Sequence, residues 1–580
     1  MSLRRHWGLA AILVVALIVR VIGLGYGLPW LFYFHDEPQV VLRALRLGTG
    51  DLNPHFFGWP GILLFYVALL SFIGLFVWGR LTGLWRNAGG FANAYFKDPS
   101  AFYVLARLQS VASGVWTVYL TYGLGSTAYS TAVGTGAALA MAVSALHAHY
   151  SHLAHPVIVL TAFVSLGLWA CVRLAVDGGA HEFRILAIAL GLGTAAQYHA
   201  ALLAVPLAIA MLLRIAGEPK RMWHWLGAAF LTGLAGIAIH LILSPFTVLD
   251  YKQFLHDLSY EAAKASGGSS GPRAPARAIL SFISDALVPS LSMPLLVLGG
   301  VGALAAFIRR KPADLVLLSF VGIYFLVMAR SGLVNDRYGL PLVMPGLLFA
   351  ARLVEEFVFR MPARWRRGWY TPAIMALLSV PSAFTLAEQD YTMTRGDTRI
   401  ESLRWFEAHV PFDDRVVIDM HRYRNTASPP LNENTVRLKE RIEEVQKGVE
   451  GSGSSRAYEP FFRYWLEHPR PNAYYLMSTN MGYDAKRLDQ YVREGYRWAV
   501  VSVEAREMHE RFAAGGDSSH VRYYLDLDRD AKLVAEFKAR RWHTLGPEIR
   551  VYRLPDHPSG RADTTTAAPA SPAPEAPGEP

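Results

Sequence analysis

Two carboxylates stand side by side at Asp36 and Glu37, in the run Leu31-Phe-Tyr-Phe-His-Asp-Glu-Pro38. A pair of acids at one place can supply a general base and a group that shares or orients its proton. Residues 7–31 ahead of them are apolar enough to cross a bilayer, and Arg4 and Arg5 come before that run. Basic residues in front of a first span hold that end in the cytoplasm. The two acids therefore fall at the outer face, next to lipid. They could simply end the first span in water. An aromatic belt before them, Phe32-Tyr-Phe-His35, and Pro38 with an amphipathic stretch after them favour acid–base chemistry on a lipid-borne substrate.

A second concentration of polar groups is histidine: His147, His149, His152 and His155. The i, i+3 spacing of His152 and His155 suits shared metal ligation on one helix turn, which makes a divalent metal a candidate cofactor. Contacts to an interface or to a sugar are the commoner use of such residues. No other cofactor is indicated. The single cysteine, Cys171, lies in an apolar run, so an intramolecular disulfide framework and a Cys-based zinc site are excluded.

The elements that must position these groups are mostly membrane helices. Of 580 residues 52% are hydrophobic and 18% charged, against about 25% charged in soluble domains. The deficit is confined to the part before about Glu388. Candidate spans fall near 8–30, 102–124, 130–147, 157–176, 184–198, 200–214, 223–243, 287–307, 314–329, 338–356 and 370–387. Each is close to the roughly 20 residues that a bilayer core requires. With the N-terminus inside, the clusters Arg173–Arg184, Arg214–Arg221, Arg309–Lys311 and Arg360–Arg367 all fall on the inner side, as basic short loops should. That agreement requires the apolar stretch 60–79 to lie at the outer interface without crossing. The net charge of +10 thus sets topology and is a poor sign of nucleic acid as a partner.

The outer side then collects 32–100, 147–156, 197–199, 244–285 and 330–338, together with everything after the last span. Within 244–285, Ser266-Gly-Gly-Ser-Ser-Gly-Pro272 reads as a flexible loop. Residues 391–556 alternate helical and strand patterns: an amphipathic helix at 398–409, and strands at 415–419, 473–477, 498–503, 532–537 and 549–553. That is a small α/β domain without a Gly-rich phosphate loop. The Pro/Ala/Thr-rich end, 557–580, has the composition of a disordered tail.

Several short motifs resemble one family. Asp36-Glu-Pro38, Asn53-Pro-His-Phe-Phe-Gly-Trp-Pro-Gly61 and the apolar 62–79 look like the first outer loop of the GT-C membrane glycosyltransferases. The closest branch is the protein-mannosyltransferase and aminoarabinose-transferase-like group, which uses polyprenyl-phosphate sugars. The resemblance continues at Ala106-Arg-Leu-Gln-Ser110, Ser151-His-Leu-Ala-His-Pro-Val157, Ser244-Pro-Phe-Thr-Val-Leu-Asp250, Arg337-Tyr-Gly-Leu-Pro-Leu-Val-Met-Pro345 and Gly546-Pro-Glu-Ile-Arg-Val-Tyr552. Each motif is short; their order and shared membrane side make the set specific.

The resemblance implies a polytopic α-helical membrane protein of about 11 transmembrane helices with a C-terminal extracytoplasmic α/β domain. It implies an inverting sugar transfer from a polyprenyl-phosphate donor to a lipid, glycan or protein acceptor at the outer face of the inner membrane. Asp36 would be the base, with Glu37 sharing or orienting. Arg337, beside Asn335 and Asp336, would hold the phosphate leaving group, with Arg107 as a second candidate. His55, His152, His155, Tyr198, His199 and Tyr338 would line the substrate. The sequence departs from the family twice. The segment His152–Val157 has no acid, and Gln197-Tyr198-His199 has no lysine before its tyrosine. A polyprenyl-sugar or lipid transporter and a non-catalytic membrane scaffold are the alternatives from other classes. A transporter calls for charges at the bilayer midplane and internal repeats, neither of which the sequence displays.

Overall fold

The computed structural model describes residues 3–31, 33–34, 36–59, 61–265, 275–331, 334–419, 427–447, 458–479, 485–512 and 519–557. The Gly/Ser loop at 266–272 and the tail from 558 onward lie outside them. The chain forms two compact units. One comprises residues 1–24, 36–82 and 101–390; the other comprises 25–35, 83–100 and 391–580.

The first unit is helical. Among the described residues five helices are long and apolar enough to cross a membrane: Ile62–Thr82, Pro156–Val176, Tyr198–Gly217, Pro219–Leu243 and Pro312–Ala329. Three bent pairs bring the number to eight if each is one span. Helix Leu340–Arg360 carries Arg352, Glu355, Glu356 and Arg360 in its last turns, and Ala180–Ala196 has only 17 residues, so composition and length keep both below that threshold. The stretch expected to lie along the outer interface forms Ile62–Thr82, whose length and apolarity also suit a crossing helix.

The first apolar run is shorter as a helix than its composition suggests. It ends at Val21, and residues 22–31 are turns, with Gly23 and Gly27 at φ +80° and +78°. Arg20 is fully buried at the end of that helix. Its guanidinium donates to the carbonyls of Ala16, Met141 and Ala142 and meets His147 Nδ1 at 3.0 Å. A buried charge is tolerable only with such partners.

The bends have local causes. Helix Thr131–Ala142 turns 60° into Ala145–Ser151. The segment 276–291 turns 108° into Met293–Arg309 at Ser292, whose φ is +63°, with prolines at 289 and 294. Tyr370–Leu378 turns 53° into Val380–Met393 just before Pro381. Helices Met293–Arg309 and Leu340–Arg360 approach backbone to backbone: a Cβ on Gly302 would collide with the Phe349 carbonyl oxygen. At one end of this bundle Asp314 and Glu355, both buried, are answered by Arg309, Arg352, Tyr129 and Ser130.

The second unit contains a six-stranded sheet in the order 432–433, 473–478, 415–418, 498–502, 549–553, 532–537. The first four are joined by parallel pairings and the last two by antiparallel ones. The alternation read from the sequence decides the faces. Val416, Ile418, Tyr474, Leu476, Val500 and Val551 pack on Leu403 and Phe406 of helix Thr398–His409. Val417, Ala499, Val501 and Tyr552 pack against Tyr491, Tyr523, Tyr524 and Leu527. Residues 25–35 join this unit through Tyr26, which bonds Asp397 and accepts from Arg399 Nη2 at 3.0 Å. A mostly helical chain with apolar spans and a stranded C-terminal unit is the fold class expected.

Asp419, at the end of strand 415–418, is buried and accepts from Thr479 Oγ1, Tyr524 OH and the Ser502 amide. Burial pushes its carboxyl up to about 6, and those donors only partly oppose this. Since the folded pKa exceeds the unfolded one, the stabilisation is complete below about pH 4. It is lost as pH rises through about 6. Two pH units correspond to on the order of 3 kcal/mol. Hydrogen exchange of strand 415–418 in the full chain should therefore quicken between pH 4 and 7 beyond the intrinsic rate change. Asp419→Asn should remove that component.

Candidate active site

Helix Glu37–Leu47 begins at Asp36, with Pro38 in its first turn, and buries Val40, Val41, Ala44 and Leu47. Adjacent residues on a helix point about 100° apart, so this start sends the two acids to different neighbours. Glu37 turns inward. Arg107 of helix Ser100–Ala128 grips it with two hydrogen bonds, Nε to Oε1 and Nη2 to Oε2, each 2.7 Å. The Ala154 amide donates to Glu37 Oε1 at 2.9 Å, and Arg107 Nη1 donates to the Leu24 carbonyl at 2.6 Å. Arg107 is 0% and Glu37 2% exposed. This ion pair fixes the start of the helix against the His152–His155 segment. Arg107→Ala would leave a buried carboxylate without its cation, at a cost of roughly 3–5 kcal/mol. The expected result is a sharply lower melting temperature for the purified variant in detergent.

Asp36 turns to two cationic or donor groups. His155 Nε2 lies 3.6 Å and Arg337 Nη2 3.7 Å from its Oδ2. His155 caps helix Pro156–Val176, its Nδ1 accepting from the Val157 amide at 3.2 Å. That bond leaves the neutral ring's proton on Nε2, facing the carboxylate. The Trp59 ring lies 6.1 Å from the His155 ring, centroid to centroid.

Arg337 comes from the 3-10 turn Asp336–Gly339, ahead of helix Leu340–Arg360. Burial works to lower its pKa, but Tyr150, Asp36 and Tyr338 more than offset it and the net shift is upward, so the guanidinium stays charged. It does not pair with the neighbouring Asp336 carboxylate. Asp336 Oδ1 instead accepts from Tyr150 OH and from the Arg337 amide, both at 2.7 Å. Tyr338 lies beside the guanidinium, 5.8 Å from its ring centre.

The remaining candidates spread outward. His55, at φ +49°, sits between Asp51 at 3.2 Å and Asp250 at 3.9 Å, and Asn53 bonds the same Asp250. Tyr198 donates to the Phe57 carbonyl at 3.0 Å and so pins the 51–61 loop. The His199 ring packs 6.4 Å from that of Tyr324. His152 is fully buried with Nε2 3.9 Å from Asp390.

His152 and His155 do not share a helix turn. One ends helix Ala145–Ser151 and the other begins helix Pro156–Val176, with residues 153–155 outside both helices. They face different carboxylates, which removes the spacing argument for a shared metal. Among the described residues no group of three or more His, Cys, Asp or Glu is arranged to hold one. Asp336 and Asp390 are the acids that sequence reasoning did not select. Asp336 was legible as the neighbour of Arg337, whereas nothing local marks Asp390.

The fold is that of a multi-pass helical membrane protein in which one carboxylate, Asp36, meets an arginine and a histidine at the start of a helix. Residues 103–243, which hold Arg107, Tyr150, His152, His155, Tyr198 and His199, match the family model described as dolichyl-phosphate-mannose-protein mannosyltransferase. The matched segment is about a quarter of the chain and contains Ala106–Ser110 and Ser151–Val157, two of the motifs on which the resemblance to the GT-C glycosyltransferases rests. No curated protein matches it in sequence. Among solved structures, the chain is similar to ArnT from Cupriavidus metallidurans in the apo state, with 13% identity, TM-score 0.49, and 97% of this chain and 100% of that one covered. It is similar to the same protein bound to undecaprenyl phosphate, with 12% identity, TM-score 0.48, and coverage of 95% and 99%. It also resembles the apo oligosaccharyltransferase of Archaeoglobus fulgidus, with 12% identity, TM-score 0.46, and coverage of 87% and 70%.

Proposed function

We propose that the protein transfers one sugar from a polyprenyl-phosphate donor to a lipid, glycan or protein acceptor at the outer face of the inner membrane, with inversion and with Asp36 as base. The observation that carries this is Asp36 held between His155 and Arg337 while its neighbour Glu37 is neutralised by Arg107. Asp36 takes the proton of the acceptor hydroxyl, whose oxygen attacks the anomeric carbon. The bond from that carbon to the phosphate oxygen breaks, and the phosphate leaves with the pair of electrons. Arg337 meets the charge that develops there, a stabilisation worth most in a site poor in water. Glu37 and Arg107 position the helix that carries the base. With Glu37 tied to Arg107, Asp36 is the one of the two adjacent acids left for chemistry, which suits a single displacement and therefore inversion. Because the donor is already activated, no nucleotide site is needed outside the membrane.

The experiment is direct. Purified protein is incubated with a panel of radiolabelled polyprenyl-phosphate sugars, and release or transfer of sugar is measured in wild type and Asp36→Asn. Asp36-dependent turnover of one donor is the expected result. No turnover of any donor, or equal turnover in the variant, sinks the reading. The outer-face placement follows from the basic clusters Arg309–Lys311 and Arg360–Arg367 on one side of the spans. A Lys447→Cys, Cys171→Ala protein, with position 447 exposed, should react with an impermeant thiol reagent in spheroplasts. Protection until the membrane is permeabilised would reverse the topology.

A further inference from the structure

Next to Arg337, on the Asp336 side, lies a cavity of about 410 Å3, within the range of about 300–1,000 Å3 typical of small-ligand sites. Its polar lining comes from His149, Ser292, Asp336, Ser382, Thr385 and Gln389. Leu146, Pro289 and Pro381 supply apolar wall. Asp336 has a divided carboxylate: Oδ1 takes both the Tyr150 hydroxyl and the Arg337 amide. Among the described residues nothing bonds its Oδ2. Gln389 Nε2 bonds His149 Nδ1, which fixes the imidazole proton on Nε2. Ser292 Oγ is buried without a partner among the described residues. The bend at Ser292 places it there, in a backbone conformation with φ +63° that side chains rarely adopt.

We infer that this cavity holds a polyhydroxylated sugar ring, with Asp336 Oδ2 accepting hydrogen bonds from its hydroxyls. The inference rests on the glycosyltransferase reading and names where its sugar sits. A ring of alternating C–H faces and hydroxyl edges needs both kinds of wall. Here the apolar residues meet the faces, while the Asp336 carboxylate and the exposed Thr385 hydroxyl lie in the wall to meet hydroxyls. A lipid tail would leave Asp336 Oδ2 without a hydrogen bond, at a real cost. Asp336 lines the cavity and takes the Arg337 amide, so the cavity wall and the residue that carries the guanidinium belong to one turn. The donor's transferred sugar and a sugar of the acceptor share this chemistry.

The probes are methyl glycosides of common pentoses and hexoses, added to the full-length protein in nanodiscs and followed by ligand-observed NMR. At least one should bind. Asp336→Asn should weaken it about tenfold or more, the scale of one hydrogen bond to a charged group. Thr385→Trp, which fills the cavity from its exposed wall, should abolish it. Donor turnover on the same preparations separates the sources. A raised donor KM assigns the cavity to the transferred sugar, and a raised acceptor KM alone assigns it to the acceptor. Failure of every methyl glycoside to bind wild type overturns the inference, as does unchanged binding in both variants. If wild type turns over a donor and both variants keep kcat and both KM values, the cavity fails while the transfer reading stands. Loss of the transfer reading itself requires that wild type turn over no donor.

Discussion

Asp36→Asn is expected to abolish sugar transfer, by about 10²-fold or more, the scale of a lost general base, while expression, insertion and melting temperature stay near wild type. The structure gives the reason the two readouts separate. Asp36 stands at the N-terminal end of helix Glu37–Leu47 yet makes no side-chain capping bond, so the amide does not cost the helix a cap. The anchoring of this segment belongs to Glu37, through Arg107 and the Ala154 amide. Asn keeps the size of the side chain and an acceptor oxygen for His155 and Arg337, and loses the charge and with it the ability to take a proton. Glu37→Gln should show the opposite pattern: a lower melting temperature and less folded protein, with residual turnover per folded molecule. If Asp36→Asn turned over donor at the wild-type rate, the base would have to be sought elsewhere. Asp336, the other carboxylate beside Arg337, is the next place to look.

The contrast between these neighbours shows what the sequence could and could not convey. Asp36-Glu37 is conspicuous as a pair after an apolar run, and a pair is how it reads. Only the helix that starts there divides them, one toward Arg337, 301 positions away, and one toward Arg107, 70 positions away. Nothing in the local sequence encodes either partner. The strands of the second unit were legible for a different reason. Their apolar runs are local and short: 549–553 is mostly buried and 532–537 is an edge strand bounded by Asp530 and Lys538, and the expected bounds of both coincide with the observed ones.

The helical bundle was legible in its apolar runs but not in its interruptions. Ser292, Ser379 and the turns from Ile22 break continuous hydrophobic stretches at points that composition does not mark. One of those breaks places Ser292 in the cavity beside Asp336. The histidine cluster misled through spacing alone: an i, i+3 pair implies a shared face only if the helix continues, and here one helix stops at Ser151 and the next starts at Pro156, with both histidines outside.

Arg337→Ala is expected to reduce transfer nearly to nothing, and Arg337→Lys to lower it substantially, with the fold retained in both. A departing polyprenyl phosphate leaves its charge at headgroup depth. Among the described residues Arg337 is the cation that ion-pairs with Asp36, at 3.7 Å. Arg107, the other candidate, is committed to Glu37 and the Leu24 carbonyl, and position 197, where the family pattern has lysine, is glutamine. The stabilisation of the leaving group therefore falls largely on one guanidinium. Its two parallel N–H donors match a phosphate in a way that an ammonium cannot reproduce, which is why the conservative change should still be costly. The loss should appear in kcat more than in donor KM, because the charge grows as the bond breaks. Normal kcat in both variants would make Arg337 an interface anchor. It would send the search for the phosphate site to His199.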